Sequence, residues 1–240
     1  MVFDPHIDLP GGFSASDSTI DFYARVNSLI RPDMTVLDLG AGRAGWFEDD
    51  PLAFRRDLRL MKGKVAKVIA ADVDPAVMEN KAADECLIMT MERIPVEDSS
   101  VDLIISDYVL EHVANPDSFV REINRVLKPG GWMCARTPHK FHMASLVAQM
   151  VPNRKHSAAL KFVQPDRQER DVFPTTYKMN TLGDIGRAFA GYRNQSFVFK
   201  CDPAYYFGSK AVFRISEIAS HVLPNALFGN VFVFVQKPGA

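Results

Sequence analysis

"VLDLGAGRAGW", Val36 to Trp46, is the stretch that decides the fold. A short apolar run carries one acid, Asp38, and ends in glycines at 40, 42 and 45. This is a strand entering a tight turn, where glycine lets a ligand approach the backbone at the start of the next helix. Dinucleotide dehydrogenases carry such a turn as well, so the spacing alone names no cofactor.

Working outward, strands and helices alternate. Residues 1–16 read as an irregular arm, and Ser18 to Ile30 as a helix with Phe22, Val26, Leu29 and Ile30 on one face. After the glycine turn, residues 51–62 read as a helix with Phe54, Leu58 and Met61 on one side. Arg55, Arg56 and Arg59 then form a solvated face, together with Lys62. Strands follow at 64–72, 86–89 and 101–106; Asp74-Pro75 caps a helix after the first of these, and Asn115-Pro116 opens another. That last helix buries Phe119, Ile123, Val126 and Leu127 and stops at "KPGG", before a fifth strand over 132–137. The rhythm predicts a doubly wound α/β fold with a parallel sheet. A helix near 181–190, strands at 195–201 and 231–237, and a helix within 202–229 complete the chain.

Composition narrows the functional classes. The 240 residues suit one α/β domain, with 47% hydrophobic and 24% charged residues. A formal charge of -1 provides no general attraction to nucleic acid or membrane. Cys86, Cys134 and Cys201 lie far apart with no metal or disulfide spacing, which fits buried thiols in a reducing cytoplasm. No signal peptide opens the chain, and no window is apolar enough to span a membrane.

Two acids point away from a dinucleotide. Asp38 would repel a pyrophosphate but suits a ligand bearing an ammonium and a sulfonium. Asp72, ending the second strand, is placed to accept both hydroxyls of a ribose. With "AADVDP", "MERIPVEDSSVDLIISDYVLEHVANPDSFVREINRVLKPGG" and "TP" in succession, residues 34–138 resemble class I S-adenosylmethionine-dependent methyltransferases of the type 11 group. The resemblance implies a Rossmann-like, mostly parallel seven-stranded sheet with an antiparallel C-terminal strand. It implies one domain over 1–240, divided into an arm and helix (1–33), a cofactor core (34–138), a substrate cap (139–178) and a C-terminal sheet half (179–240).

On that resemblance S-adenosylmethionine is the cofactor. Asp38 would hold its methionine end, and Gly40, Ala41 and Gly42 would pass beneath it. Asp72 would take the ribose, Val73 the adenine face, and Met91 with Glu92 the adenine edge. Ser106 and Asp107 would face the methyl group. The chain departs from the pattern at Thr90, where many relatives carry Asp, and in the long link between the glycine turn and the second strand. Trp46, in that link, reads as a residue that closes the cofactor pocket.

The reaction is then an in-line methyl transfer, with His139 and His142 as candidate bases at the ligand-binding edge of the sheet. Glu111-His112 is similar to an "LEH" of ubiquinone-biosynthesis O-methyltransferases that belongs to a metal site. Tyr108 stands where that site needs a further acid, so no metal is expected and His112 reads as structural. Tyr108, Tyr177, Tyr205 and Tyr206 are candidates for the acceptor pocket.

No "NPPY"-like tetrad and no Pro-Cys pair is present, which disfavours a nucleic-acid substrate. Segments such as "DVFPTTYKMNT" resemble, more loosely, methyltransferases of bacterial glycan pathways. The expectation is an O-methyltransferase acting on a small molecule or glycan. Methylation of an amino sugar nitrogen and a catalytically silent partner subunit are the alternatives. Phe141, Met143, Leu146 and Met150 read either as cap packing or as a surface for a peripheral membrane or partner contact. Oligomeric state is not legible.

Overall fold

The computed structural model describes residues 2–143, 145–146, 174–203 and 206–239. Most of the expected cap, with Met150 and Tyr205, lies outside them.

Five parallel strands form the body of the sheet: β1 (Thr35–Leu39), β2 (Lys67–Asp72), β3 (Glu85–Ile88), β4 (Val101–Asp107) and β5 (Leu127–Pro138). β8 (Gly229–Gln236) pairs antiparallel with β5, from Trp132↔Gln236 to Pro138↔Asn230. Two short strands, β6 (Arg193–Asn194) and β7 (Phe197–Lys200), share the outer edge of β8. The order is β3-β2-β1-β4-β5-β8-β6, so seven positions are filled and only β8 runs against the rest. The near-continuous apolar runs of β1, β2 and β4 follow from burial on both faces.

One face is covered by α2 (Ser18–Leu29), whose Phe22 and Val26 pack with Val36, Ala70, Leu103, Cys134 and Phe232. Asp17 caps α2 by accepting from the backbone of Thr19 and Ile20. The other face is covered by α5 (Pro116–Val126) and α6 (Leu182–Ala188), over Leu37, Ile104, Met133 and Val233. Asn115 caps α5, with Pro116 in its first turn, as the sequence predicts. The remaining described helices are α1 (Pro5–Asp8), α3 (Trp46–Asp49), α4 (Ala53–Arg59), α7 (Lys210–Val222) and α8 (Asn225–Phe228).

Three expectations need correction. The helix announced by Asp74-Pro75 is a short 3-10 turn, Pro75–Glu79, although Asp74 does cap it. β5 begins at Leu127, not at 132, because "KPGG" continues as extended chain beside β4. A Cβ on Gly131 would lie 2.9 Å from the Asp102 carbonyl, so only glycine allows that approach. Finally, α4 turns its arginines inward: Arg55 pairs with Asp50 at 2.6 Å and Asp17 at 2.9 Å, while Phe54 stays exposed. The carboxylates that draw Arg55 inward come from the α2 cap and from the loop before α4, which helical periodicity does not report.

Candidate functional site

Chain order reverses between β1 and β4, and a crevice opens beyond the C-terminal ends of the strands at such a switch point. A cavity of about 740 Å³ lies there. This is within the ~300–1,000 Å³ common for ligand sites.

Its floor is the glycine turn. The Gly40 amide donates to the Ala71 carbonyl at 2.7 Å, tying the turn to the end of β2. Gly40 has φ +74, and a Cβ there would overlap the Val109 side chain. Asp72 is buried and bridges two segments: its carboxylate accepts from Gly42 N at 2.8 Å and from Asp74 N at 2.9 Å. Asn80 secures the same turn by donating to the Gly42 carbonyl at 3.0 Å, a contact the sequence did not announce.

Gly40, Ala41, Gly42, Asp72 and Val73 all line the cavity, as do Met91 and Glu92 on its far wall. Thr90 lines it too, and its hydroxyl oxygen accepts from the Arg93 amide at 3.0 Å and the Glu92 amide at 3.3 Å. Trp46 closes the end beside the turn. At the other end stand Tyr108, Val109, His112, Pro174 and Thr176. Tyr108 holds φ 59, an uncommon backbone state for an aromatic residue. Its hydroxyl accepts from Asn230 at 2.8 Å, and the Arg136 guanidinium lies 4.7 Å from its ring centre.

Several expected site residues lie elsewhere. Ser106 is fully buried in β4, its hydroxyl without a hydrogen-bond partner. Asp107 is engaged behind the cavity, accepting from Arg136 at 2.7 and 2.8 Å and from Tyr23 at 3.2 Å. Burial pushes the Asp107 carboxyl up, but Arg136 outweighs it and holds the group below the usual carboxylate range. Asp38 points to the same side; burial first and Asp107 second raise it to about 7. None of these three lines the cavity.

His139 and His142 do not line it either. Both are buried past the end of β5; the His139 ring accepts from the Phe141 amide at 3.1 Å, and burial pushes His142 down to about 4. A base role for them fails on access, since neither imidazole reaches the cavity. Tyr177 is buried with its amide on the Glu111 carbonyl, and Tyr206 packs against Phe3 and Phe213. Neither lines the cavity.

His112 is the imidazole that does. Its Nδ1 lies 2.9 Å from the Pro174 carbonyl, where it donates. Beneath it, Glu111 is buried and accepts from the Thr137 hydroxyl at 2.8 Å, and Asn180 donates to that hydroxyl at 2.6 Å. Glu111 thus fixes the turn that presents His112. Among the described residues no three His, Cys, Asp or Glu side chains gather to hold a metal. Among the same residues no helix is long and apolar enough to cross a membrane.

The donor set suits S-adenosylmethionine: a buried carboxylate between two loops for vicinal hydroxyls, apolar walls for a purine, and glycine backbone for close approach. Comparison with known proteins agrees. Residues 37–135 match the model of a methyltransferase domain. The chain is 27% identical over 176 residues to the mitochondrial ubiquinone biosynthesis O-methyltransferase of Rattus norvegicus, covering 66% of this chain and 49% of that protein. It is 28% identical over 110 residues to the ubiquinone/menaquinone biosynthesis C-methyltransferase of Laribacter hongkongensis, covering 42% of each. The chain therefore spans about half, or less, of the length of these curated relatives. An S-adenosylmethionine-dependent methyltransferase structure from Methanosarcina mazei shares the fold with a TM-score of 0.55 at 15% identity, covering 90% of this chain and 98% of that one. Residues 37–135 are a methyltransferase domain of the class I S-adenosylmethionine-dependent family.

Proposed function

We propose that the chain transfers the methyl group of S-adenosylmethionine to a hydroxyl of a small molecule or glycan. The observation that carries this reading is a single cavity that joins the Asp72 and glycine-turn end to a chamber walled by Tyr108, His112 and Thr176. One end suits a nucleoside, and the other brings an imidazole to where an acceptor would lie. The printed names of two relatives, an O- and a C-methyltransferase, support a small acceptor over a nucleic acid.

Gly40, Ala41, Gly42, Asp72, Val73, Met91 and Glu92 would hold the cofactor. When bound, S-adenosylmethionine supplies a methyl already activated on a sulfonium, so no acid is needed for its leaving group. What remains for the protein is to orient the acceptor oxygen and remove its proton.

We assign the proton to His112. Donation from Nδ1 to Pro174 leaves Nε2 as the basic nitrogen, and Glu111 holds the turn in place. Tyr108 and Thr176 would position the acceptor, with Val109 and Val113 keeping water out.

The test is transfer of labelled methyl from S-adenosylmethionine into panels of sugars, phenols and amines, with wild type and His112→Gln. The variant is expected to lose at least ~100-fold in turnover of a hydroxyl acceptor, the lower range for a general base. S-Adenosylhomocysteine binding should stay unchanged. Undiminished transfer by His112→Gln removes the base assignment, and label found only in amines removes the hydroxyl acceptor.

A further inference from the structure

Behind Trp46 and Tyr108 lies a charged cluster that is unevenly paired. Asp107 is fully engaged by Arg136 and Tyr23. Arg59, from the long link between the glycine turn and β2, approaches Asp107 only to 3.7 Å. It makes no hydrogen bond among the described residues, and its Nε is buried without a partner. Its guanidinium is clamped flat instead, 4.5 Å from the Trp46 ring centre and 5.4 Å from that of Tyr23. A guanidinium has five N–H donors in a planar fork made for a carboxylate, so a clamped one with none engaged is set up for an incoming acceptor.

Asp38, on the adjoining strand end, forms no hydrogen bond or ion pair among the described residues, though it feels the charges of Arg59 and Asp107. An unengaged acid and an unengaged guanidinium, side by side, are complementary to an α-amino acid zwitterion. They suit a phosphate poorly, because Asp38 and Asp107 would both repel it. Trp46 is shared by the cluster and the cavity wall, which puts this pair next to the glycine turn.

We propose that Arg59 receives the α-carboxylate of S-adenosylmethionine while Asp38 receives its α-ammonium. The proposal rests on the cavity being the cofactor site. It gives the inserted link a function, since Arg59 and Trp46 both come from it.

The experiment is calorimetric titration of wild type, Arg59→Met, Arg59→Lys and Asp38→Asn with three ligands. These are S-adenosylhomocysteine, decarboxylated S-adenosylmethionine, which keeps the ammonium alone, and 5′-methylthioadenosine, which lacks both groups. Arg59→Met is expected to weaken S-adenosylhomocysteine by about 10- to 100-fold, the scale of a charge-assisted pair. Its binding of decarboxylated S-adenosylmethionine and 5′-methylthioadenosine should stay within about 2-fold. Arg59→Lys, which keeps the charge but not the fork, should fall between, and Asp38→Asn should weaken both ammonium-bearing ligands.

Equal loss for all three ligands would make Arg59 a structural prop and overturn the proposal. So would unchanged S-adenosylhomocysteine binding by Arg59→Met, including the case in which only the acceptor's KM rises. Failure of the wild type to bind 5′-methylthioadenosine or S-adenosylhomocysteine at all would remove the cofactor reading itself, which is a distinct result.

Discussion

Replacing Asp72 should damage the fold and cofactor binding together, by amounts that can be separated. In the free protein its two carboxylate oxygens serve two backbone donors, Gly42 N and Asp74 N, at 2.8 and 2.9 Å. Asp72→Ala leaves both amides to whatever water the cavity admits, so the loss is about 2–4 kcal/mol, below the full worth of two bonds to a charged acceptor. For a chain of this length that lowers Tm by roughly 5–15 °C. Asp72→Asn is informative because an amide has one acceptor oxygen. Whichever way it turns, its NH2 faces one of the two backbone donors, so about half the loss or more should remain. Binding of S-adenosylhomocysteine, titrated below the melting range, should fall by a further ~10- to 100-fold as the ribose hydroxyls lose their acceptor. A variant that melts and binds like wild type would refute the bridging role and the ribose role alike. A melting loss without a binding loss would leave Asp72 as a structural tie only.

Three other perturbations probe neighbouring points. Gly40→Ala combines a φ of +74 with overlap on Val109, so roughly 2–4 kcal/mol should be lost in urea melts; adding Val109→Ala should recover the overlap but not the backbone cost. Full recovery would show that φ is unimportant there. Asp38 gives a pH signature, because burial and Asp107 raise it to about 7 whereas an unfolded Asp titrates near ~3.9. Between these values the folded state keeps the extra proton. Asp38 therefore costs nothing near pH 4, the cost grows toward pH 7, and it is complete above that. Relative to Asp38→Asn, wild type should lose about 2–4 kcal/mol of stability from pH 4 to 8, and parallel pH profiles of the two would contradict it. Asp107→Ala strands the buried Arg136 and should cost about 3–5 kcal/mol, while Asp107→Leu with Arg136→Met should cost much less. Equal melting of the single and double variants would show that Arg136 finds another partner.

The parts of this protein that were legible in its sequence are those set by backbone and burial. β1, β2 and β4 declare themselves as apolar runs, and the glycines after β1 mark a turn that the fold uses as expected. The reach of Asp72 across to Gly42 follows from its place at the end of the neighbouring strand. Caps such as Asn115 are local, so three or four residues suffice to read them. The antiparallel position of β8 is different: it came with the family resemblance and not from periodicity.

What stayed hidden depends on charges meeting across the fold. Helical periodicity assigned Arg55 and Arg59 to solvent because it counts carbon and carries no term for a carboxylate on another helix. The structure sends Arg55 to Asp17 and Asp50, and lays Arg59 between Tyr23 and Trp46, leaving Phe54 outside. The imidazoles show the same limit. His139 and His142 follow the fifth strand and so looked close to the ligand, yet burial removes them, while His112 was discounted for sitting at a helix start. Position along the chain locates the edge of the sheet, but which side chain faces the cavity depends on φ at Tyr108 and on the Glu111–Thr137–Asn180 contacts. Those contacts join residues far apart in sequence, at the edge where five strand ends converge. Chemistry in such a fold is carried by the residues least predictable from local pattern, because the same turn that frees them from the strand also frees them from its periodicity.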